Sequence, residues 1–438
     1  MTKKKTNFRA RRSPRDPSLD QRAPKANAQV QTLVVADVAF GGDGIAREDG
    51  KVIFIEQAVP GETVTAEILQ DKKRFARARK LTTLIPAPDA VEPFCPVFGR
   101  CGGCDWQHVP YSKQLDWKRQ FIESALSKNA RFTWHEPISV WPSVQTQNFR
   151  NRIKLKARLY QGRLEVAYFA KSSHEIVTIT QCPIAETAIN EFLLEVKDLP
   201  FDVSASWRGE LEIQRVGLKQ RLLHFDPEFP QQKFLQKHFP NDFVQPTDSV
   251  LLEEHEGLSY RTRAGQFQQV NALGNHQLRA WIKTKVVQTG AKTLVDLFCG
   301  SGNLSLSLQS ISAIKVWGIE YSETAIRTAK ENAKDKPLQN FAYKAGPANQ
   351  IREIFPDIPE SVDCVITDPP RAGMDDSIAD LLGLKPKHIL SVSCDPNTFA
   401  RDLKILLENG YVLKEILGAD FFPHSYHIET LAHLERTT

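Results

Sequence analysis

The strongest constraint on the fold is an alternation that begins near residue 275. Apolar segments at Thr293–Phe298, Val316–Ile319, Phe341–Lys344, Val362–Thr367, His388–Ser393 and Tyr411–Ile416 are separated by helical patterns such as Glu323–Ala333 and Asn397–Glu408. Strands alternating with helices build a mostly parallel, doubly wound sheet, an α/β architecture. In such a sheet a ligand sits beyond the carboxyl ends of the strands, where the strand order reverses.

The first of these strands runs into Val295-Asp-Leu-Phe-Cys-Gly-Ser-Gly-Asn-Leu304, which is expected to end the strand and open a helix. Gly300 and Gly302 let the backbone turn tightly and approach a ligand. Glu320 closes the next strand, where a carboxylate can accept ribose hydroxyls. A dinucleotide site wants a third glycine, and Ser305 stands there instead. A methyl donor has no pyrophosphate and does not require it. Asp296, Gly300, Gly302 and Glu320 in register therefore point to a nucleoside-type methyl donor.

Three later strand ends carry the candidate chemistry. Asp368-Pro-Pro-Arg-Ala-Gly373 follows an apolar strand, and its prolines block further pairing and hold the loop extended. Ser393-Cys394-Asp-Pro396 ends the following strand in the same way, and Phe421-Phe-Pro-His-Ser-Tyr-His-Ile-Glu429 sets a carboxylate before the last strand. A thiol and a carboxylate beside a methyl donor suit methylation of uracil carbon 5. Thiolate addition at carbon 6 makes carbon 5 nucleophilic, and a base then removes its proton so that the thiolate can leave. Cys394 is the candidate nucleophile and Glu429 the candidate base; Asp368 can bond the cofactor or the uracil edge. Cys364, in mid-strand, reads as core, and Cys299 as lining of the cofactor loop.

Upstream, residues 29–84 read as a small β-barrel of about five strands, with turns at Gly41–Gly44, Asp49-Gly50 and Pro60-Gly61. A basic stretch from Lys72 to Lys80 with Phe75 among it suits looped or single-stranded nucleic acid. A proline-rich linker, Pro86 to Pro96, delivers Cys95, Cys101 and Cys104, and Cys182 lies far downstream. Four thiolates suit zinc or an iron–sulfur cluster, and spacing does not separate the two. A helix is expected at Ser112–Ser127 and mostly strands across 149–260, with a hairpin turn in Leu159–Leu164. Residues 1–25 hold nine basic and two acidic residues; the whole chain of 438 residues carries only +5, so the remainder is −2. Residues 1–28 are thus expected to be a disordered basic arm that tracks phosphates, or a solubilising tail. The N-terminus lacks an apolar signal region, and no apolar run reaches the ~18 residues of a membrane span. A cytoplasmic protein without membrane contact is expected. Seven cysteines in that setting favour metal binding and catalysis over disulfides.

With these motifs assembled, the chain resembles the bacterial RNA (uracil-5-)methyltransferase family from about residue 30 onward. The resemblance rests on Phe267-Gln-Gln-Val-Asn271, Asp296–Asn303, Asp368–Gly373, Ser393–Pro396 and Phe422–Glu429. It implies a Rossmann-like catalytic domain at 271–438 that uses S-adenosylmethionine. It also implies a TRAM-type RNA-binding barrel at 29–84 and a mixed, mostly β central domain at 85–270. Cys95, Cys101, Cys104 and Cys182 would hold a [4Fe–4S] cluster there, expected to be structural because it lies outside the catalytic domain. Gln269, Phe298, Asn303, Glu320 and Asp368 would contact the cofactor, with Cys394 as nucleophile, Glu429 as base and Phe267 against the flipped uracil. The barrel favours the branch that methylates 23S rRNA, at the uracil 1939 site, by a monomer with no protein partner evident. Two departures stand out: Asp395 replaces a frequent Asn, and Gly346-Pro347 occupies a position that often contacts the cofactor. Two other readings compete, a nucleotide-dependent oxidoreductase with an iron–sulfur cluster and a non-catalytic RNA-binding assembly factor. The missing third glycine opposes the first, and intact Cys394, Glu429 and Asp368 oppose the second.

Overall fold

The computed structural model describes residues 29–437 apart from 217–219, 245–249, 256–257, 264, 312 and 335–339. The expected basic arm at 1–28 lies outside the described residues. The described residues divide into two compact units, 29–39 with Asp43–Pro88, and Phe40–Gly42 with 89–437.

In the first unit the barrel expected from about five strands is a six-stranded sheet. Its order is Val30–Val34, Thr63–Asp71, Phe75–Ile85, Lys51–Glu56, Gly44–Glu48, Asp37–Val38. Asp49 and Gly50 both take positive φ, 48° and 76°, which is the mirror-image turn that a two-residue hairpin needs. Leu33, Val35, Ile53, Ile55 and Val64 form the core with five small alanines, among them Ala76 and Ala78. Those two alanines explain why the basic stretch is a strand: small residues alternate inward while Phe75, Arg77 and Arg79 point away. The cations of that stretch do not all serve one purpose. Arg79 pairs with Glu67, and Lys80 lies 3.2 Å from Glu62, whereas Lys72, Lys73 and Arg74 are exposed.

The second unit holds two large sheets. One has six strands in the order Ile176–Thr178, Arg163–Phe169, Arg152–Tyr160, Trp207–Val216, Gln220–Asp226, Phe243–Val244. Its expected hairpin turn falls on Gln161 and Gly162, again with both φ positive. Helix Thr187–Val196 buries Ile189, Phe192 and Leu193 in the same core as Ile153, Leu155 and Ile213 of the sheet.

The other sheet has eight strands: Phe341–Ala345, Lys315–Glu320, Thr293–Leu297, Cys364–Thr367, His388–Ser393, Glu429–Arg436, Tyr411–Ala419, Ser139–Trp141. The first five run parallel, and Glu429–Arg436 is antiparallel to both of its neighbours. From Thr293–Leu297 the chain steps outward twice, then returns to its other side at Cys364–Thr367. That is the reversal at which a ligand crevice opens. Successive residues bury on opposite faces, Ile389 in one core and Leu390 and Val392 in another. Both faces being covered, the strands read as apolar runs without alternation.

Two observations go beyond the sequence reading. Ser139–Trp141, from the segment expected to be a separate central domain, extends the catalytic sheet beside Tyr411–Ala419. Helix Tyr111–Ala125 then buries Lys118 against Asp420 at 2.6 Å, with neither side chain exposed. Lys118 also donates to the Phe422 carbonyl, and Asp420 accepts from the Tyr111 hydroxyl and the Phe422 N–H. Among the described residues no helix is long and apolar enough to cross a membrane.

A buried charge stripped of its partner is costly. Lys118→Met should therefore lower unfolding stability by about 3–5 kcal/mol. Adding Asp420→Asn should recover part of that loss, as read from urea midpoints.

Candidate active site

The strand ends of the eight-stranded sheet gather most of the residues singled out in the sequence. Leu297 and Thr367 are register partners, so Phe298 and Asp368 leave the sheet side by side at the reversal point. Glu320 ends the strand on one side of this pair. On the other side Ser393 pairs with Thr430. One residue beyond that pair lie Cys394 on one strand and Glu429 on the other. Along one edge the order is thus Glu320, Phe298, Asp368, Cys394, Glu429.

The loop after Thr293–Leu297 is wound tightly. Phe298 adopts φ 64°, a conformation that non-glycine residues hold only when their surroundings impose it. Gly302 has φ 83°, and a Cβ there would sit 2.7 Å from the Leu306 side chain. The expected helix after this loop is only a short 3₁₀ turn, Ser305–Ser310. Ser305 is buried at the position of the third glycine, its hydroxyl 3.0 Å from that of Tyr343. That contact gives the serine a packing role. Glu320 accepts from the Gly300 N–H at 3.3 Å and the Ser322 N–H at 2.9 Å, with lone pairs left over. Asn303 exchanges two hydrogen bonds with Asn275 and accepts a third from the Arg279 guanidinium at 2.9 Å. Its Oδ1 is therefore committed to helix Ala272–Thr289, and one amide N–H remains for a ligand. Gln269 is buried just ahead of Asn271, which caps that helix by accepting from Gly274 N–H. Phe267 is 77% exposed. Gly346 donates its N–H to the Glu320 carbonyl.

Burial makes this edge electrostatically unusual. The Asp368 carboxyl is pushed up to about 7 by loss of solvent. Glu429, only 3% exposed, is pushed up to about 8 by burial first and by Asp368 second, with Arg371 opposing. The Cys394 thiol is raised to about 11 by burial and by Glu429, and Arg371 pulls it down. Asp296 is fully buried and raised to about 7 by burial, facing Ser305 without a hydrogen bond of normal geometry. Two buried carboxyls, the partly buried Asp368 and a partly buried thiol at these strand ends are poised to receive a ligand that carries positive charge. The sequence reading gave Arg371 no role; its only signal was a cation directly after the Asp-Pro-Pro turn. Asn275 and Arg279 gave no signal at all. Cys299 and Cys364 are buried, as expected of lining and core.

Away from this edge, Cys95, Cys101, Cys104 and Cys182 are partly buried. Among the described residues no group of three or more His, Cys, Asp or Glu side chains is arranged to hold a metal ion. The four thiols are nevertheless within electrostatic reach of one another. Burial, with the charge of Cys182 and the other thiols, raises Cys101 to about 11 and Cys104 to about 12.

The chain is similar to known proteins along most of its length. The tRNA (Uracil-5-)-methyltransferase family matches residues 230–437, and the TRAM domain matches residues 24–81. An uncharacterized RNA methyltransferase of Listeria innocua is 30% identical over 94% of this chain and 98% of its own. The 23S rRNA (uracil(1939)-C(5))-methyltransferase RlmD of Pectobacterium atrosepticum is 29% identical, with 92% of each chain covered. The fold is shared with the Pyrococcus abyssi tRNA (uracil-54, C5)-methyltransferase, solved with S-adenosyl-L-homocysteine. Its TM-score is 0.68 at 22% identity, covering 92% of this chain and all of that one. With a TRAM domain ahead of a methyltransferase sheet, this chain belongs to the RNA (uracil-5-)methyltransferase family of enzymes.

Proposed function

We propose that this enzyme methylates carbon 5 of a uracil in 23S rRNA, at the position equivalent to uracil 1939, using S-adenosylmethionine. The observation that carries the reading is the juxtaposition of Cys394 and Glu429 one residue beyond the Ser393–Thr430 pair, beside a crevice lined by Asp368 and Glu320. The residues fit the cofactor. Glu320 has lone pairs free for ribose hydroxyls, and Asp368, Asp296 and Glu429 gain from a positive sulfonium nearby. When bound, S-adenosylmethionine supplies an electrophilic methyl group. The protein supplies the rest. The Cys394 thiolate, favoured by Arg371, adds to carbon 6 and makes carbon 5 nucleophilic. After carbon 5 is methylated, the Glu429 carboxylate takes its proton. The electron pair of that C–H bond forms the 5,6 double bond, the carbon–sulfur bond breaks, and the Cys394 thiolate leaves. Phe267 offers an exposed ring for an unstacked base.

The four cysteines support a [4Fe–4S] cluster held by Cys95, Cys101, Cys104 and Cys182. Four partly buried thiols that raise one another are unfavourable as thiolates without a cationic partner. Anaerobically prepared protein should contain about four irons and matching sulfide per chain, and Cys104→Ser should lose both. Stoichiometric zinc without sulfide would replace this assignment.

The decisive test is transfer of labelled methyl to unmodified 23S rRNA fragments and tRNA side by side. Label on carbon 5 of one 23S uracil is expected; label on tRNA alone would overturn the substrate. Cys394→Ala should abolish transfer while still binding S-adenosylmethionine, and substantial residual transfer would remove the nucleophile assignment. Only ionised Glu429 can take the proton, so the turnover rate should rise with pH through about 8. A flat profile there would contradict its role. Stability runs the opposite way. Asp368, Asp296 and Glu429 are all raised above their unfolded values, so the stability they contribute is complete below the ordinary carboxylate range. It is lost as pH rises through about 7 to 8, and bound S-adenosylmethionine should blunt that loss. Finally, Lys72, Lys73 and Arg74 are assigned to phosphate contact. Replacing all three with alanine should weaken RNA binding and flatten its log–log salt slope by roughly 0.7 per lost contact.

A further inference from the structure

The nine-residue connection from Asp420 to Ile428 joins Tyr411–Ala419 to the strand that Glu429 begins. At its centre His424 has φ 65°, in the left-handed region that non-glycine residues adopt uncommonly. Several contacts impose it. The His424 N–H donates to Gln114 Oε1 at 2.9 Å. The His424 carbonyl accepts from the N–H groups of Asp105 at 2.8 Å and Trp106 at 3.0 Å. The ring Nε2 lies 3.0 Å from the Thr146 carbonyl. A carbonyl only accepts, so Nε2 carries the proton and Nδ1 is bare, 3.3 Å from Gln114 Nε2. The same Gln114 amide donates to the carbonyls of Trp106 and Val109, and Gln114 is fully buried. Burial pushes the imidazole down to about 4, consistent with this neutral tautomer.

From these contacts we infer that His424, held by Gln114, is a positioning residue for proton abstraction: it locks the connection that delivers and encloses Glu429. The inference rests on the reading of Glu429 as the base. Pro423, Ser425 and Ile428 around the lock are buried, and His427 packs edge-on to Phe422 at 5.6 Å, so the connection is packed along its length up to Glu429, itself 3% exposed. Asp105 and Trp106 directly follow Cys104. The cysteine loop and the connection that leads to Glu429 are thereby joined at one carbonyl.

The step gives a distinctive readout. If proton removal is impaired after methyl transfer, RNA stays bonded through carbon 6 to the Cys394 sulfur. Gln114→Ala and His424→Gly would be compared with Glu429→Gln and the unaltered enzyme. The glycine accepts the left-handed backbone, so His424→Gly removes the ring without new strain. Each enzyme is mixed with labelled S-adenosylmethionine and a 23S fragment, then resolved under denaturing conditions. Glu429→Gln should accumulate methylated covalent adduct. Both positioning variants should also accumulate it, with kcat reduced about tenfold or more, KM for RNA nearly unchanged, and binding of S-adenosylmethionine retained. Should Gln114→Ala fail to fold, His424→Gly alone decides. Wild-type turnover without adduct in a folded positioning variant, while Glu429→Gln stalls, would overturn the inference. So would loss of adduct formation altogether, because the defect would then precede the base. If Glu429→Gln itself leaves no adduct, the base assignment fails and the inference falls with it.

Discussion

The buried pair of Lys118 and Asp420 is the interaction on which the arrangement of the active edge depends. Two opposite charges without solvent are stable together only if their remaining donors and acceptors are occupied. Here they are. Asp420 takes the Lys118 ammonium, the Tyr111 hydroxyl and the Phe422 N–H, and its own N–H donates to the Trp141 carbonyl. The Tyr111 hydroxyl accepts from Ser143 N–H, and the Ser143 hydroxyl from the Asn271 amide, which also reaches the Phe421 carbonyl. One continuous polar network therefore runs from helix Tyr111–Ala125 to the cap of helix Ala272–Thr289, through the start of the connection that leads to Glu429. Such a network tolerates little slack, because every member loses its partner when one moves.

That rigidity suits the chemistry next to it. Asp368 is raised by burial, Glu429 by burial and Asp368, and Cys394 by burial, Glu429 and Asp368, a state that carries an electrostatic cost. Arg371 is the cation that offsets it at both Cys394 and Glu429. A cationic methyl donor relieves the same cost, so the crevice is matched to a ligand of positive charge. Cys394 and Glu429, the proposed nucleophile and base, sit at the ends of adjacent strands, where sheet register fixes their spacing. The base in addition depends on a connection whose shape is fixed from outside the sheet.

The C-terminal sheet was legible because its signals are local. The strand His388–Ser393 is bounded in the structure as in the sequence, and Glu323–Lys334 and Pro396–Glu408 differ from expectation by one residue at one end. Buried apolar runs, glycines at turns and Asp395 accepting from Asn397 and Thr398 at a helix start all announce themselves over a few residues. The helix expected after the glycine loop shortened to a 3₁₀ turn because Ser305 and Leu306 are drawn into contacts with Tyr343 and Gly302. The three residues Ser139–Trp141 carried no readable period, and their strand exists only because Tyr411–Ala419 offers an edge.

By itself, then, the sequence determined the parallel catalytic sheet, the barrel, the residues at the strand ends and the class of reaction. Each follows from patterns within a turn or a strand. The tertiary structure decided what those patterns cannot carry. It made Arg79 and Lys80 structural ion pairs and left Lys72, Lys73 and Arg74 exposed. It committed Asn303 to Asn275 and Arg279, and it bound Gln114 to His424 across 310 positions of sequence. Partners that far apart leave no trace in local periodicity. Their roles arise from desolvation and hydrogen-bond geometry, which exist only once the chain has closed around them.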